Sequence, residues 1–294
     1  MSDKEIDEAS GIETTGHEWD GIKELNNPLP RWWLWTFYAT IVFSIGYILY
    51  YPAIPLLEGS TMGISGKTNR SELALEIKAV EDARRATVEK LAATDLETIR
   101  ADAELSRFAS AGGSSLFKVY CTQCHGSGAA GSPGYPNLND DNWLWGGDLE
   151  SIYFTIKHGV RNDVDDDARD SLMPAFGADE LLENEEVTSV TEYVLQLSGM
   201  DHDAAQVEAG RELFSENCTS CHGEDGRGDR EFGAPNLADS ISLYGNDRAS
   251  VRGQIIKPKH GVMPPWGDKL TEAGLKQLAI YVHGLGGGEK AKAE

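Results

Sequence analysis

From Trp32 to Tyr51 the chain runs through twenty residues, WWLWTFYATIVFSIGYILYY, without Asp, Glu, Lys, Arg or His. As a helix rising about 1.5 Å per residue this stretch spans about 30 Å, the thickness of a bilayer core. Trp32, Trp33 and Trp35 crowd one end and Tyr47, Tyr50 and Tyr51 the other, where amphipathic rings sit at lipid headgroups. Pro52 and Pro55 stop the helix. A cleaved signal peptide would be shorter, begin earlier, carry fewer aromatics and end at an A-x-A site, so the pattern predicts an uncleaved anchor. Lys23 and Arg31 precede the stretch, and the first bases after it are Lys67 and Arg70. The positive-inside rule then places the N-terminus in the cytoplasm and everything beyond Tyr51 outside.

Residues 1–30 carry eight acids against Lys4 and Lys23 and show no sustained apolar period, which predicts a flexible or peripheral acidic tail. After the anchor, Ser71 to Phe108 is built of strong helix formers with apolar residues at helical spacing. Ser71 and Asp95 are its candidate N-caps. It holds no candidate cofactor ligand, which points to a structural spacer or a partner-binding helix.

Beyond Phe108 the same features occur twice in the same order. Leu116-Phe117 before CTQCHG matches Leu213-Phe214 before CTSCHG, and Pro136-Asn137-Leu138 matches Pro235-Asn236-Leu237. Lys157-His158-Gly159-Val160 matches Lys259-His260-Gly261-Val262, and Met173-Pro174-Ala175-Phe176-Gly177 matches Met263-Pro264-Pro265-Trp266-Gly267. Tyr193-Val194 and Tyr281-Val282 close the two copies. The chain is a duplication.

Composition narrows the chemistry. Of 294 residues, 40% are hydrophobic and 25% charged, a globular composition. The formal net charge is -22, from 26 bases and 48 acids, so nucleic-acid phosphates would be repelled. The excess acid serves solubility or the docking of a basic partner. Units of this size bury limited surface and gain stability from something held inside them. All four cysteines fall in the two C-x-x-C-H runs, leaving none for a structural disulfide. A lone C-x-x-C is compatible with a thiol redox pair or half a zinc site, but histidine directly after the second cysteine marks covalent haem attachment.

If the run opens a helix, Cys121 lies one turn below Cys124 and His125, and Cys218 below Cys221 and His222, so all three side chains project to one face. The sulfurs can bond the haem vinyl groups while the imidazole reaches iron. Gly126 and Gly223 follow, as a sharp turn beside a macrocycle requires. The sixth ligand must come from later in the chain. Of five methionines, Met1 initiates, Met62 lies near the membrane and Met200 sits in a linker, which leaves Met173 and Met263, each in an M-P-x-[FW]-G context. Methionine opposite histidine raises the potential, as suits electron carriers. His158 and His260 are the competing ligands, with hydrogen bonding inside the fold as their ordinary role. With both axial positions filled by protein neither iron is open, which argues against a dihaem peroxidase. Phe176, Trp266, Trp143 and Trp145 are expected to pack near the rings. The acidic run 162–167 resembles the start of a calcium loop but lacks the glycine expected at the sixth position and the glutamate at the twelfth, where Ala168 and Pro174 stand. It is expected to be a solvated loop.

The layout as a whole, from Asn26-Asn27-Pro28-Leu29-Pro30-Arg31-Trp32-Trp33 at the membrane to the tandem repeat, resembles the membrane-anchored dihaem subunit of cbb3-type cytochrome c oxidases. The expected architecture is mainly α: a cytoplasmic acidic tail (1–30), one transmembrane anchor (31–55), a helical spacer (56–108) and two tandem class I-like cytochrome c domains (109–200 and 201–294), the second ending in a short flexible tail. The resemblance implies two covalently bound haem c groups, on Cys121 and Cys124 with His125, and on Cys218 and Cys221 with His222. It implies a place in a bacterial inner membrane with periplasmic haem domains. Electrons would come from a soluble or membrane-bound cytochrome c and pass, through a monohaem cytochrome c subunit, to the catalytic haem-copper subunit; this chain would catalyse nothing alone. The resemblance also suggests exchanged axial ligands, Met263 serving the first haem and Met173 the second, where sequence order alone pairs them the other way. A stand-alone anchored dihaem carrier is the alternative.

Overall fold

The computed structural model describes residues 5–290; Met1, Lys4 and the last four residues of the expected C-terminal tail lie outside them. It divides into two compact units, one reaching Ala83 and one beginning at Arg84.

In the first unit, part of the expected tail is ordered as a hairpin. Strand β1 (Thr14–Trp19) pairs antiparallel with β2 (Ile22–Leu25), with Trp19 opposite Ile22. The connection is Asp20-Gly21, at φ of 50° and 84°, a two-residue turn whose twist matches that of the strands it joins. Glu24 fastens the ribbon by accepting from the Thr15 hydroxyl and Trp19 Nε1, both at 3.0 Å. Helix α1 (Arg31–Tyr50) begins after Pro30 and stops where Tyr51 turns extended. It is long and apolar enough to cross a membrane, and none of its residues is buried. An apolar helix with no protein around it fits an anchor solvated by lipid. A short hairpin, β3 (Pro55–Leu56) with β4 (Gly59–Ser60), follows. Next comes α2 (Asn69–Ala93). Its start is fixed by a reciprocal box in which the Thr68 hydroxyl accepts from Ser71 N–H and the Ser71 hydroxyl from Thr68 N–H, both at 3.0 Å. The cap is therefore Thr68, and Ser71 is its partner inside the helix.

The second unit contains the final turns of α2, then α3 (Leu96–Ala101), α4 (Ala103–Tyr120), α5 (Thr122–His125), α6 (Leu149–His158), α7 (Asn184–Leu197), α8 (Val207–Asn217), α9 (Thr219–His222), α10 (Arg248–Ile256) and α11 (Glu272–His283). Asp95 caps α3 through Thr98 N–H at 2.8 Å. Asp102 caps α4, which runs without interruption from the expected spacer to the first C-x-x-C-H motif.

Helix pairing crosses the two repeats. The closing helix of the second repeat, α11, packs on α4 and α6, while the closing helix of the first, α7, packs on α8 and α10. Two cores result: Leu105, Phe117, Ile152, Leu275 and Leu278 in one, and Val187, Val190, Tyr193, Phe214 and Ile255 in the other. Phe117 meets Tyr281 at 5.5 Å between ring centres, and Phe214 meets Tyr193 at 5.2 Å. Full burial of such a ring is worth about 1.5–3 kcal/mol. Both crossings depend on a glycine at the matching repeat position. A Cβ on Gly113 would lie 2.1 Å from the Gln277 carbonyl oxygen, and one on Gly210 2.0 Å from that of Ser189.

Two further ties bind the repeats. Glu192 on α7, only 3% exposed, accepts from Arg248 Nε (2.6 Å) and Nη2 (3.1 Å) on α10 and from Asp203 N–H (2.7 Å). The chain end was expected to be flexible, yet up to Glu289 it is engaged. Trp143 Nε1 donates to Gly287 O (2.7 Å), Glu289 N–H to Gly147 O (2.8 Å) and Arg230 Nη1 to the Glu289 carboxylate (2.6 Å). Backbone partners hold this glycine-rich segment, where side-chain patterning has nothing to register.

Candidate functional site

Each C-x-x-C-H run forms a short helix of its own directly after a longer one, α5 after α4 and α9 after α8, with Cys121 and Cys218 as the junction residues. Cys121 N–H still bonds Phe117 O at the end of α4, and His125 N–H bonds Cys121 O at 2.9 Å. Cys218 N–H bonds Phe214 O and His222 N–H bonds Cys218 O at the same 2.9 Å. The helical spacing that brings both sulfurs and the imidazole to one face is therefore present, continued from the preceding helix. Gly126 and Gly223 end the turn at φ of 79° and 74°, which a side chain would resist.

The two imidazoles are held alike. His125 Nδ1 donates to Pro136 O and His222 Nδ1 to Pro235 O, each at 3.1 Å. A carbonyl can only accept, so the proton sits on Nδ1 and Nε2 keeps its lone pair. Burial pushes both imidazoles below their usual range, so both are neutral at neutral pH. A neutral ring with one nitrogen fixed by a backbone carbonyl is oriented as a metal ligand is. The repeated Pro-Asn-Leu landmark thus has a function that sequence alone did not assign. All four thiols are free, and burial raises Cys121 and Cys218 to about 11, keeping them protonated.

The methionines follow the crossed helix pairing. Met263 and Trp266 pack with Cys121 and Leu138 against the first core, whereas Met173 packs with Cys218 and Leu237 against the second, where Phe176 is buried. Val160 and Met263 exchange both backbone hydrogen bonds (3.0 and 2.9 Å), and Gly267 N–H reaches Lys157 O at 2.9 Å. On the other side Ala178 N–H reaches Ile256 O at 2.9 Å, and Met173 N–H donates to His260 Nε2 at 3.2 Å. Each M-P-x-[FW]-G segment is thereby strapped to the K-H-G-V segment of the other repeat.

Met173, Cys218, Cys221 and His222 line one cavity of about 310 Å³, within the size range of cofactor pockets. The donor set suits a haem c: paired thiols, an oriented neutral imidazole and a thioether. His158 is engaged elsewhere, its Nδ1 bonded to both Asp165 carboxylate oxygens at 3.1 and 3.0 Å. This pair also organises the acidic run, in which Asn162 Oδ1 accepts from Asp165 N–H at 3.0 Å. Trp143 packs against the first core, while Trp145 lies 5.3 Å from the Arg169 guanidinium.

Residues 11–58 match the family described as the N-terminal domain of cytochrome oxidase-cbb3, FixP. Residues 109–194 and 205–282 match cytochrome C oxidase, cbb3-type, subunit III. The chain is 55% identical over 276 residues to the cbb3-type cytochrome c oxidase subunit CcoP of Cereibacter sphaeroides, covering 94% of this chain and 95% of that one. Identity to the subunit FixP of Sinorhizobium medicae is 51% over 286 residues, covering 97% and 98%. With the subunit CcoP of Rhodobacter capsulatus it is 47% over 287 residues, covering 95% and 97%.

Proposed function

Because the chain belongs to the family of cbb3-type cytochrome c oxidase subunit III, we propose that it carries two haem c groups and relays electrons from a cytochrome c donor toward the oxygen-reducing subunit. The observation that carries this reading is the duplicated site, in which His125 and His222 each donate Nδ1–H to a proline carbonyl at 3.1 Å and keep the Nε2 lone pair for a ligand. Haem iron, when bound, supplies one-electron exchange between its ferric and ferrous states. The chain's own residues do the rest. Cys121 and Cys124 tether one haem and Cys218 and Cys221 the other, through thioether bonds. His125 and His222 ligate from the cysteine side. Met263 completes the first site and Met173 the second, supported by their packing with Cys121 and Cys218 respectively. Thioether ligation would favour the ferrous state, and histidine with methionine would fill both iron positions left by the porphyrin, which suits electron conduction.

Helix α1 anchors the chain in a bacterial inner membrane. Arg31 and Lys23 before it support an N-terminus in the cytoplasm and a haem-bearing unit in the periplasm. There it meets the catalytic haem-copper subunit and a monohaem cytochrome c subunit. The test is purification from membranes. Intact-mass measurement is expected to find this chain heavier by two haems and accompanied by a larger haem-copper subunit. An unmodified mass would reject the haem reading, and isolation as a free, fully functional monomer would reject the oxidase assignment in favour of a stand-alone carrier.

A further inference from the structure

The two repeats differ in the segment that leads to the methionine. In the second repeat Met263 follows Val262 directly, whereas in the first a twelve-residue loop, 161–172, separates Val160 from Met173. The loop begins with Arg161, whose backbone takes a positive φ of 49°. Arg161 lines the cavity of Met173, Cys218 and His222, the site of the other repeat's motif. Its Nε donates to Gly261 O at 2.8 Å and its Nη1 to Ser171 O at 3.2 Å. These bonds occupy two of its five N–H donors and leave its charge uncompensated.

Among the described residues no carboxylate lies within ion-pair distance of this guanidinium; Asp170 acts on it only through its field. The one carboxylate lining the cavity, Asp239, is taken by the side-chain amides of Asn236 (2.7 Å) and Asn142 (3.1 Å). Partial burial disfavours the charge of Arg161, and its field in turn disfavours protonation of His260, which the cavity's own desolvation lowers first. A partly buried cation of this kind calls for an anion. Haem brings two carboxylates on its propionate arms, and the planar guanidinium fork matches a carboxylate.

Resting on the reading that a haem c is attached at Cys218 and Cys221, we propose that Arg161 binds a propionate of that haem and holds its potential up, so that the first repeat tunes the haem of the second. Reduction adds one negative charge to the haem, and a fixed cation beside it stabilises the reduced form more than the oxidised. The second repeat has no arginine at the matching position, because Met263 itself follows Val262. Lys259 also lines the cavity, with Nζ 6.0 Å from the Tyr244 ring centre, but it is exposed and water screens it.

The test uses the assembled complex with Arg161→Gln, Arg161→Lys and Lys259→Gln. It reads the potentials of both c haems by spectroelectrochemistry and the propionate bending bands by resonance Raman, with haem content checked by mass. In Arg161→Gln one c haem is expected to drop in potential while the other stays. The affected haem is the one that also responds to Met173→His. Arg161→Lys retains part of the effect, Lys259→Gln changes little, and a propionate band shifts in Arg161→Gln alone. Unchanged potentials and bands in Arg161→Gln with two haems retained would overturn the proposal, as would an equal fall at both haems. Should Arg161→Gln fail to assemble, the native protein decides: propionate bands matching water-exposed carboxylates at both haems overturn the assignment, and one band typical of a guanidinium pair supports it. Loss of haem from the native chain would instead sink the parent reading.

Discussion

Gly113→Ala tests the crossed helix pairing. The added Cβ would stand 2.1 Å from Gln277 O and 2.6 Å from Tyr281 Cβ. Ordinary contact needs roughly 3.4 Å, so α4 and α11 must part by about 1 Å, a gap that forfeits a quarter to a half of each dispersion contact along the seam. The obstacle is a helix carbonyl, which cannot rotate aside, and this places the overpacking cost near the top of the usual range, about 3 kcal/mol. Alanine returns about 1 kcal/mol through its better helix propensity. The net loss is about 2 kcal/mol, roughly a thirtyfold fall in the folded-to-unfolded ratio. Gly112 and Gly253 provide the scale. A Cβ at Gly112 meets only the movable tip of Gln277, at 2.5 Å, and one at Gly253 meets nothing within 4 Å, so Gly253→Ala should stabilise by about 0.5–1 kcal/mol. Denaturant unfolding of the full haem-bearing chain in detergent, followed by the optical band of methionine-ligated ferric haem, gives the comparison. If Gly113→Ala proves as stable as Gly253→Ala, α11 does not lie on α4 and the crossed pairing is wrong.

Three further outcomes are expected. Met263→His should lower the potential of the haem on Cys121 and Cys124, and Met173→His that of the haem on Cys218 and Cys221; redox titration of chains keeping only one cysteine pair assigns each, and the opposite pairing would refute the crossed ligation. The Glu192 carboxylate is held below its ordinary value of 4.5, chiefly by hydrogen bonds from Arg248. A depressed carboxylate stabilises fully above its unfolded value and loses this as pH falls through its lower native value, so Glu192→Gln should be less stable at pH 7 and show a shallower acid transition below about pH 4.5 in denaturant midpoints. Deleting residues up to Tyr51 should move the haem-bearing chain from the membrane to the soluble fraction; retention in the membrane would show that α1 is not its only attachment.

What could be read from the residues was chemistry and repetition. C-x-x-C-H fixes sulfur and imidazole along one helical turn, and the charge-free run before Pro52 matches α1 to within a residue at each end. What could not be read was partnership. Tyr193-Val194 and Tyr281-Val282 mark equivalent faces on α7 and α11, and an apolar face is satisfied by any complementary core. The choice rests on backbone contacts such as Gly113 against Gln277 O and on the extra loop at Arg161, neither of which leaves a periodic trace. The carbonyls of Pro136 and Pro235 escaped for a related reason, since main-chain acceptors have no residue type. The Thr14–Leu25 hairpin had a local signal, Asp20-Gly21, but its flanks are polar and the alternation that normally accompanies such a turn is missing.

One further consequence lies in where the crossed segments fall along the chain. The hydrophobic core around the second motif, from Met173 through α7, α8 and α9 to α10, is consecutive, while the first core is assembled from what comes before it and what comes after. One haem module is thus nested inside the other, like a parenthesis within a sentence. On a chain made from its N-terminus, the inner core has all its parts as soon as α10 is complete, whereas Phe117 waits uncovered until α11 emerges. The motif made earlier is the one enclosed last.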